Sequence, residues 1–322
     1  MKAGMKLSMV VVLAAGAASA PAAQLSTDAR GAIPHDVQQL VVIDYRAMQN
    51  STAAMDLRNR VMPPELKQFD EALQKSGLND NHDVDELAFA LFRSKSDSEM
   101  LDTVGIAQGQ FDVQGIVAGF KKSKLKASLV RTNSIYPMTK AGMVLCFVDP
   151  STMVFGEKEA VQKALDARDG VTPSMLSNSS MMSAMQSVDS NPLWSILDQK
   201  GTQTMMSQLL GSAGTEASAG SGADFETVRK KLEGSWYSMD FQHGVKFDLT
   251  ISTGDAFTAS TLSSLMTAAV MVRKMSSTDI EKQALSATSI SASAGQLTID
   301  YTSTDNQFSS LLQSPLFGNM VR

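Results

Sequence analysis

Along the chain the spacing of apolar residues switches between a period near 3.6 and a period near 2, and each switch marks an element. QQLVVID, residues 38–44, carries a central apolar block and reads as a first strand. Helical spacing follows over 47–61 and 64–76, divided at Pro63 and Pro64. Pro64 suits a helix start, where its missing N–H has no bond to make. DVDELAFALFR at 83–93 and LDTVGIAQGQ at 101–110 read as paired strands. Asp112 then stands before Val113, Ile116, Val117 and Phe120, so a cap oxygen and a 3.6 period together predict a helix ending near Lys122. Strands are expected at 127–132, 142–148 and 152–155. A helix over 157–168 has Ala160, Val161, Ala164 and Leu165 on one face and closes at Gly170. A further helix over 174–188 carries Met175, Met181, Met182 and Met185.

The second half opens at Pro192, Leu193 and Trp194 with a helix expected to stop at Gly211. GSAGTEASAGSGA, residues 211–223, has too little apolar surface to offset its ordering entropy and reads as a mobile loop. Residues 235–242 and 245–252 alternate about His243 and Gly244, a hairpin pattern. Asp255 caps the longest helix, 256–274, and a short helical stretch ends near Ala284. A second hairpin, 286–294 with 296–301, turns at Gly295, and a terminal helix covers 305–313. Hairpins separated by helices define an α+β protein rather than a doubly wound parallel sheet. The expected organisation is a flexible lead at 24–34 and two similar lobes, 35–190 and 191–322, each an antiparallel sheet packed by helices.

The first 23 residues lie outside this pattern. Lys2 and Lys6 precede an uncharged stretch from Leu7 to Ser19, and small residues follow at Ala20, Ala22 and Ala23, as in a secretory signal peptide. The apolar stretch is too short to cross a hydrocarbon core, so no membrane span is expected after cleavage. Pro21 disfavours a cut after Ala20; cutting after Ala22 or Ala23 starts the mature chain near Gln24. The chain has one cysteine, Cys146, which excludes a lipid anchor at the cut and any internal disulfide. A periplasmic or secreted protein, not a lipoprotein, is the expected product. The full chain of 322 residues is 43% apolar, enough for one large core or two medium ones. With net charge -5 and 28 Lys and Arg residues in no run of four, the chain offers no surface for nucleic acid.

Candidate chemistry is sparse. No GxSxG occurs, and the three possible bases, His35, His82 and His243, fall in the lead, a loop and a hairpin turn. Ser123 and Lys126 have SxxK spacing but sit at a helix end among Lys121, Lys122 and Lys124. NDNHDVDE, 79–86, alternates like a calcium loop, yet its sixth and twelfth places are Val84 and Ala90 instead of Gly and an acid. Gly105, Gly109, Gly115 and Gly119 match no phosphate cradle and suit turns and close packing. Cys146, within the apolar run GMVLCFVDP, reads as a core residue. No enzyme, metal or cofactor is expected. The chain has 21 Met against 2 Trp and 4 Tyr, and Met fills irregular gaps or lines adaptable grooves. Core packing is the default for Trp194, Trp236, Tyr237, Met181 and Met185, with a groove or partner surface between lobes as the alternative.

IPHDVQQLVVIDY (33–45), GQFDVQGIVAGF (109–120), SIYPM around Tyr136, VFGEKEAVQKALDARDG (154–170) and DLTISTGDAFTASTLSSLM (248–266) together resemble a group of functionally uncharacterised exported bacterial proteins built as tandem α+β lobes. That resemblance implies an extracytoplasmic location and a non-enzymatic role, and it carries over no site residue. The leading expectation is an exported, non-catalytic binding or structural protein of the cell envelope. The alternatives are a periplasmic carrier or chaperone for a lipid or unfolded protein, and a hydrolase whose site assembles from distant residues.

Overall fold

The structure, a computed structural model, describes residues 24–75, 77–78, 80–93, 101–140, 142–221, 225–315 and 317; the expected signal peptide lies outside them. Its twelve strands are β1 (Val37–Asp44), β2 (Val84–Arg93), β3 (Leu101–Gly109), β4 (Ser128–Val130), β5 (Asn133–Pro137), β6 (Met143–Asp149), β7 (Thr152–Glu157), β8 (Leu193–Leu197), β9 (Leu232–Asp240), β10 (Val245–Thr253), β11 (Thr288–Ser293) and β12 (Gln296–Ser303). They form one sheet in the order β11-β12-β10-β9-β8-β1-β2-β3-β7-β6-β5-β4. Every pairing is antiparallel, and the class is α+β. Outwards from the central pair, the order β1-β2-β3-β7-β6 is echoed by β8-β9-β10-β12-β11. The halves are continuous: Gln39 to Ile43 of β1 pair with Leu197 to Leu193 of β8.

Five expectations are corrected. Residues 193–197 are a strand instead of the start of a helix; all five are buried, so the segment has no alternation to separate it from a buried helix. The lead is structured. Thr27–Gly31 is helical, Ser26 Oγ accepts the Ala29 N–H at 3.1 Å, and Leu25, Ala29, Ala32 and Ile33 are buried. The strand expected at 127–132 is instead a hairpin, β4 and β5, turned at Arg131 with φ of +55°. The helix expected to stop at Gly211 continues as Gln199–Ser221, because each residue added to an anchored helix gains a bond without a new nucleus. The stretch 174–188 is also divided. A 3-10 turn at Met175–Ser177 precedes the helix Ser179–Gln186, whose first turn is capped by Asn178 through the Met181 N–H at 3.2 Å.

Register decides which side chains share a face. One row crosses ten strands as Cys146, Val154, Ile106, Ala88, Val42, Trp194, Ser238, Asp248, Asp300 and Ser289. Its apolar end lies under Thr27–Gly31, Lys158–Arg168 and Ser179–Gln186, and these helices and strands share one core. On its polar end this face is uncovered, and β10, β11 and β12 present mainly Ser, Thr and Asp to solvent. The opposite face is mainly apolar, with Gln39, Ser195 and Ser235 as polar exceptions near β8. Pro64–Lys75 and Val113–Lys122 cover one part, Thr52–Val61 and Asp305–Leu312 the middle, and Gln199–Ser221 with Ala256–Ser276 the rest. Among the described residues no helix is long and apolar enough to cross a membrane.

Close packing explains Gly105 and Gly109. A Cβ on Gly105 would lie 2.2 Å from the Phe155 ring, which stacks on Phe69 with centroids 4.8 Å apart; one on Gly109 would lie 1.9 Å from the Asp83 carbonyl oxygen. Overpacking of this kind costs about 1–3 kcal/mol. Gly105→Ala is therefore expected to lower the unfolding free energy by that amount, seen as a lower urea midpoint in equilibrium unfolding; an unchanged midpoint would show that Phe155 yields freely.

Candidate functional site

A concavity lies where the β9–β10 turn meets the end of β12. The turn needs glycine: Gly244 has φ of +87°, and a Cβ there would lie 2.4 Å from the Ser303 carbonyl oxygen. This approach forms a cleft of about 460 Å³ lined by His243, Gly244, Thr302, Ser303, Thr304, Asp305 and Gln307. The Asp305–Leu312 helix begins on its wall. Thr304 Oγ1 accepts the Gln307 N–H at 3.3 Å, and Gln307 Oε1 accepts the Thr304 N–H at 3.0 Å, so the capping box occupies these polar groups with one another. A second cavity of about 280 Å³ adjoins it along Thr302, Ser303 and Gln307, with Ile280, Ala284, Ala287 and Tyr301 in its lining. Burial pushes the Tyr301 phenol up, partly offset by the Ser303 side chain.

His243 shares this cleft with Ser303 and Asp305, but among the described residues no hydrogen bond joins it to either. The other histidines stand elsewhere. The His35 N–H donates to the Pro173 carbonyl at 3.1 Å, while exposed His82 pairs with Asp83 at 3.0 Å. Ser123 caps the end of Val113–Lys122, its N–H donating to the Gly119 carbonyl at 3.0 Å. Asp112 caps the start of that helix through the Gly115 N–H at 3.0 Å. Among the described residues no group of three or more His, Cys, Asp or Glu side chains is placed to hold a metal ion.

The candidate groove residues divide between two faces. Met181, Met185 and Trp194 are interior side chains of one core, and Trp236 packs against it. Tyr237, the next residue, points to the opposite face, with its ring 5.8 Å from Phe247 and its hydroxyl near Ser195 and Gln39. A common groove is not what these five residues form.

Sequence reasoning placed Glu86 on the 83–93 strand, at the end of the rejected calcium-loop stretch, and gave it no role. Glu86 is half-buried on β2, facing Asp44 of β1 and Gln108 of β3 in register. Burial, with Asp44 and Asp85 nearby, pushes its carboxyl up to about 7. The signal for it was an acid within a strand whose neighbours on the same face, Ala88 and Ala90, are core residues.

This arrangement defines an α+β protein built on one large antiparallel sheet. No known family matches the chain, and none of the curated proteins does. Among solved structures it is similar to TP0453 of Treponema pallidum in two crystal forms. Crystal form I gives a TM-score of 0.50 at 11% identity over 88% of this chain and 95% of that one. Crystal form III gives 0.51 at 9% identity over 88% and 96%. At such identities the likeness concerns the fold alone.

Cys146 lies inside the sheet at 0% exposure, and burial pushes its thiol up to about 11. A thiol-specific disulfide reagent at pH 8 is expected to leave the folded protein unmodified and to label one thiol per chain after denaturation. Rapid labelling of folded protein would place this strand nearer to solvent.

Proposed function

We propose that the chain is an exported binding or structural protein of the cell envelope that performs no catalysis. Export is supported by Lys2 and Lys6 before an apolar stretch and by the small residues near Ala23. The observation that carries the non-catalytic part is the use made of the reactive side chains. Cys146 is core, Ser123 ends a helix, and Asp44, Asp112 and Asp255 cap helix starts, so the groups a reaction would draw on are engaged in holding the fold. The open polar face of β10, β12 and β11 is the broad surface left for a partner.

A second reading, a hydrolase, has one observation on its side, the shared cleft of His243, Ser303 and Asp305. Purified protein incubated with generic ester and peptide libraries is expected to release no product above the buffer rate. Turnover that disappears in His243→Ala would overturn the first reading and establish the second.

A further inference from the structure

The mature amino terminus has a prepared counter-ion. The Gln24 N–H donates to Glu86 Oε1 at 2.9 Å, and two residues on the Ser26 N–H donates to Gln108 Oε1 at 3.1 Å. Glu86 and Gln108 are register partners on β2 and β3, so residues 24–26 are tied across two neighbouring strands. Leu25 between them is 5% exposed, and the Thr27–Gly31 helix packs into the core beyond. This segment is anchored at a fixed place, but the bonding at Glu86 is incomplete. Its Oε2 is buried and has no hydrogen-bond partner among the described residues. A half-buried carboxylate served by one amide N–H on one oxygen is a costly arrangement.

We propose that hydrolysis of the peptide bond between Ala23 and Gln24 creates an α-ammonium whose counter-ion is Glu86. The proposal rests on the export reading. Water adds across the bond under a signal peptidase; Ala23 keeps the new carboxylate on the released leader, and the Gln24 nitrogen takes up protons to become an ammonium. At the same position one amide donor is thereby replaced by three donors and a positive charge. The ammonium keeps the bond to Oε1, reaches Oε2, and neutralises the carboxylate. Of the two cuts allowed by the small residues, only the one after Ala23 puts the charge on the nitrogen that already touches Glu86.

Asp44 of β1 and Asp85 of β2 are the acids around Glu86, and both are engaged. Asp44 Oδ1 accepts the Ala47 N–H at 2.7 Å, and Asp85 is paired with Arg46. β3 contributes the neutral Gln108. On the N-terminal helix Arg30 is bound to Ser26 and Thr27, and Asp28 is exposed. The new ammonium is therefore the cation that Glu86 lacks. In the uncut chain the carboxyl is pushed up to about 7 from an ordinary value of 4.5. Folding then favours its protonated form, so stability is greatest below that ordinary value and falls as pH rises towards 7. In the cut chain the ammonium holds Glu86 ionised, and this fall disappears until the amine itself deprotonates.

The test uses the exported protein, the mature chain bearing one extra Ala before Gln24 and released from a fusion partner by a site-specific protease instead of by export, and each of these with Glu86→Gln. Mass spectrometry of exported material is expected to show a free amine on Gln24. A start at another residue, or cyclisation of Gln24 with loss of ammonia, would overturn the proposal and leave export standing; retention of the full leader would defeat the export reading itself. The inserted Ala is expected to lower Tm at pH 7.5 by about 2–4 °C or more, to have less effect at pH 5, and to have none in Glu86→Gln. An equal loss with Glu86 and with Glu86→Gln would overturn the ion pair.

Discussion

The backbone pairing of β1 with β8 is the constraint on which the rest of the structure depends. Buried N–H and C=O groups must be bonded, and a strand covered on both faces can meet that demand only through its neighbours. β8 is buried at every residue, with β1 on one side and β9 on the other. Without the β1–β8 ladder each half of the chain would present an apolar, unpaired strand at its edge, with Trp194 exposed in one and Leu40 and Val42 in the other. The pairing removes both edges and lets helices from the first half, Ser179–Gln186 among them, lie over strands of the second.

The same sheet explains the uneven chemistry of the two halves. One face carries helices along its whole length and is mainly apolar. The other is covered only as far as β8, and beyond that its register row turns from Trp194 to Ser238, Asp248, Asp300 and Ser289. Two aspartates directly opposite each other repel. Burial and the hydrogen bond to Asp248 push Asp300 up, while the Ser289 hydroxyl at 3.2 Å and Lys246, 3.0 Å from Asp248, relieve the pair. Alternation is therefore clean in the uncovered strands and blurred in the covered ones, as expected where one face or both faces are buried.

That difference decided what was legible. The β9–β10 and β11–β12 hairpins could be read from alternation about Gly244 and Gly295, and the helices after Asp112 and Asp255 from a cap followed by 3.6 spacing. β8 could not, because five buried residues have no period. The Thr27–Gly31 helix escaped notice because its one buried residue is Ala29, which carries little hydrophobic signal. His243 was visible as a turn residue, but its companions at Thr302 to Asp305 come from another hairpin, and only long-range register brings them together. Glu86 was visible only as an acid at the start of a strand; its meaning lies in Gln24, which touches it from a distant part of the chain.

A sheet of twelve strands still has two edges, and these are handled differently. Edge strands left flat and uncharged invite another strand, and natural proteins shorten, charge or twist them. At one edge β4 is only three residues long, and the turn after it is locked by Arg131, which pairs with Asp166 and, at 2.9 Å, with Asp169. At the other edge β11 runs for six residues, TSISAS, in regular register with β12 and with no charge, proline or bulge. What separates β11 from a hydrophobic edge is its serines: three of them, all exposed, keep one face wetted, while Ile290 on the other packs beneath the helix Ala256–Ser276. The protection at that end thus comes from polarity across the face and a helix above it, and at the β4 end from shortness and an ion-paired turn.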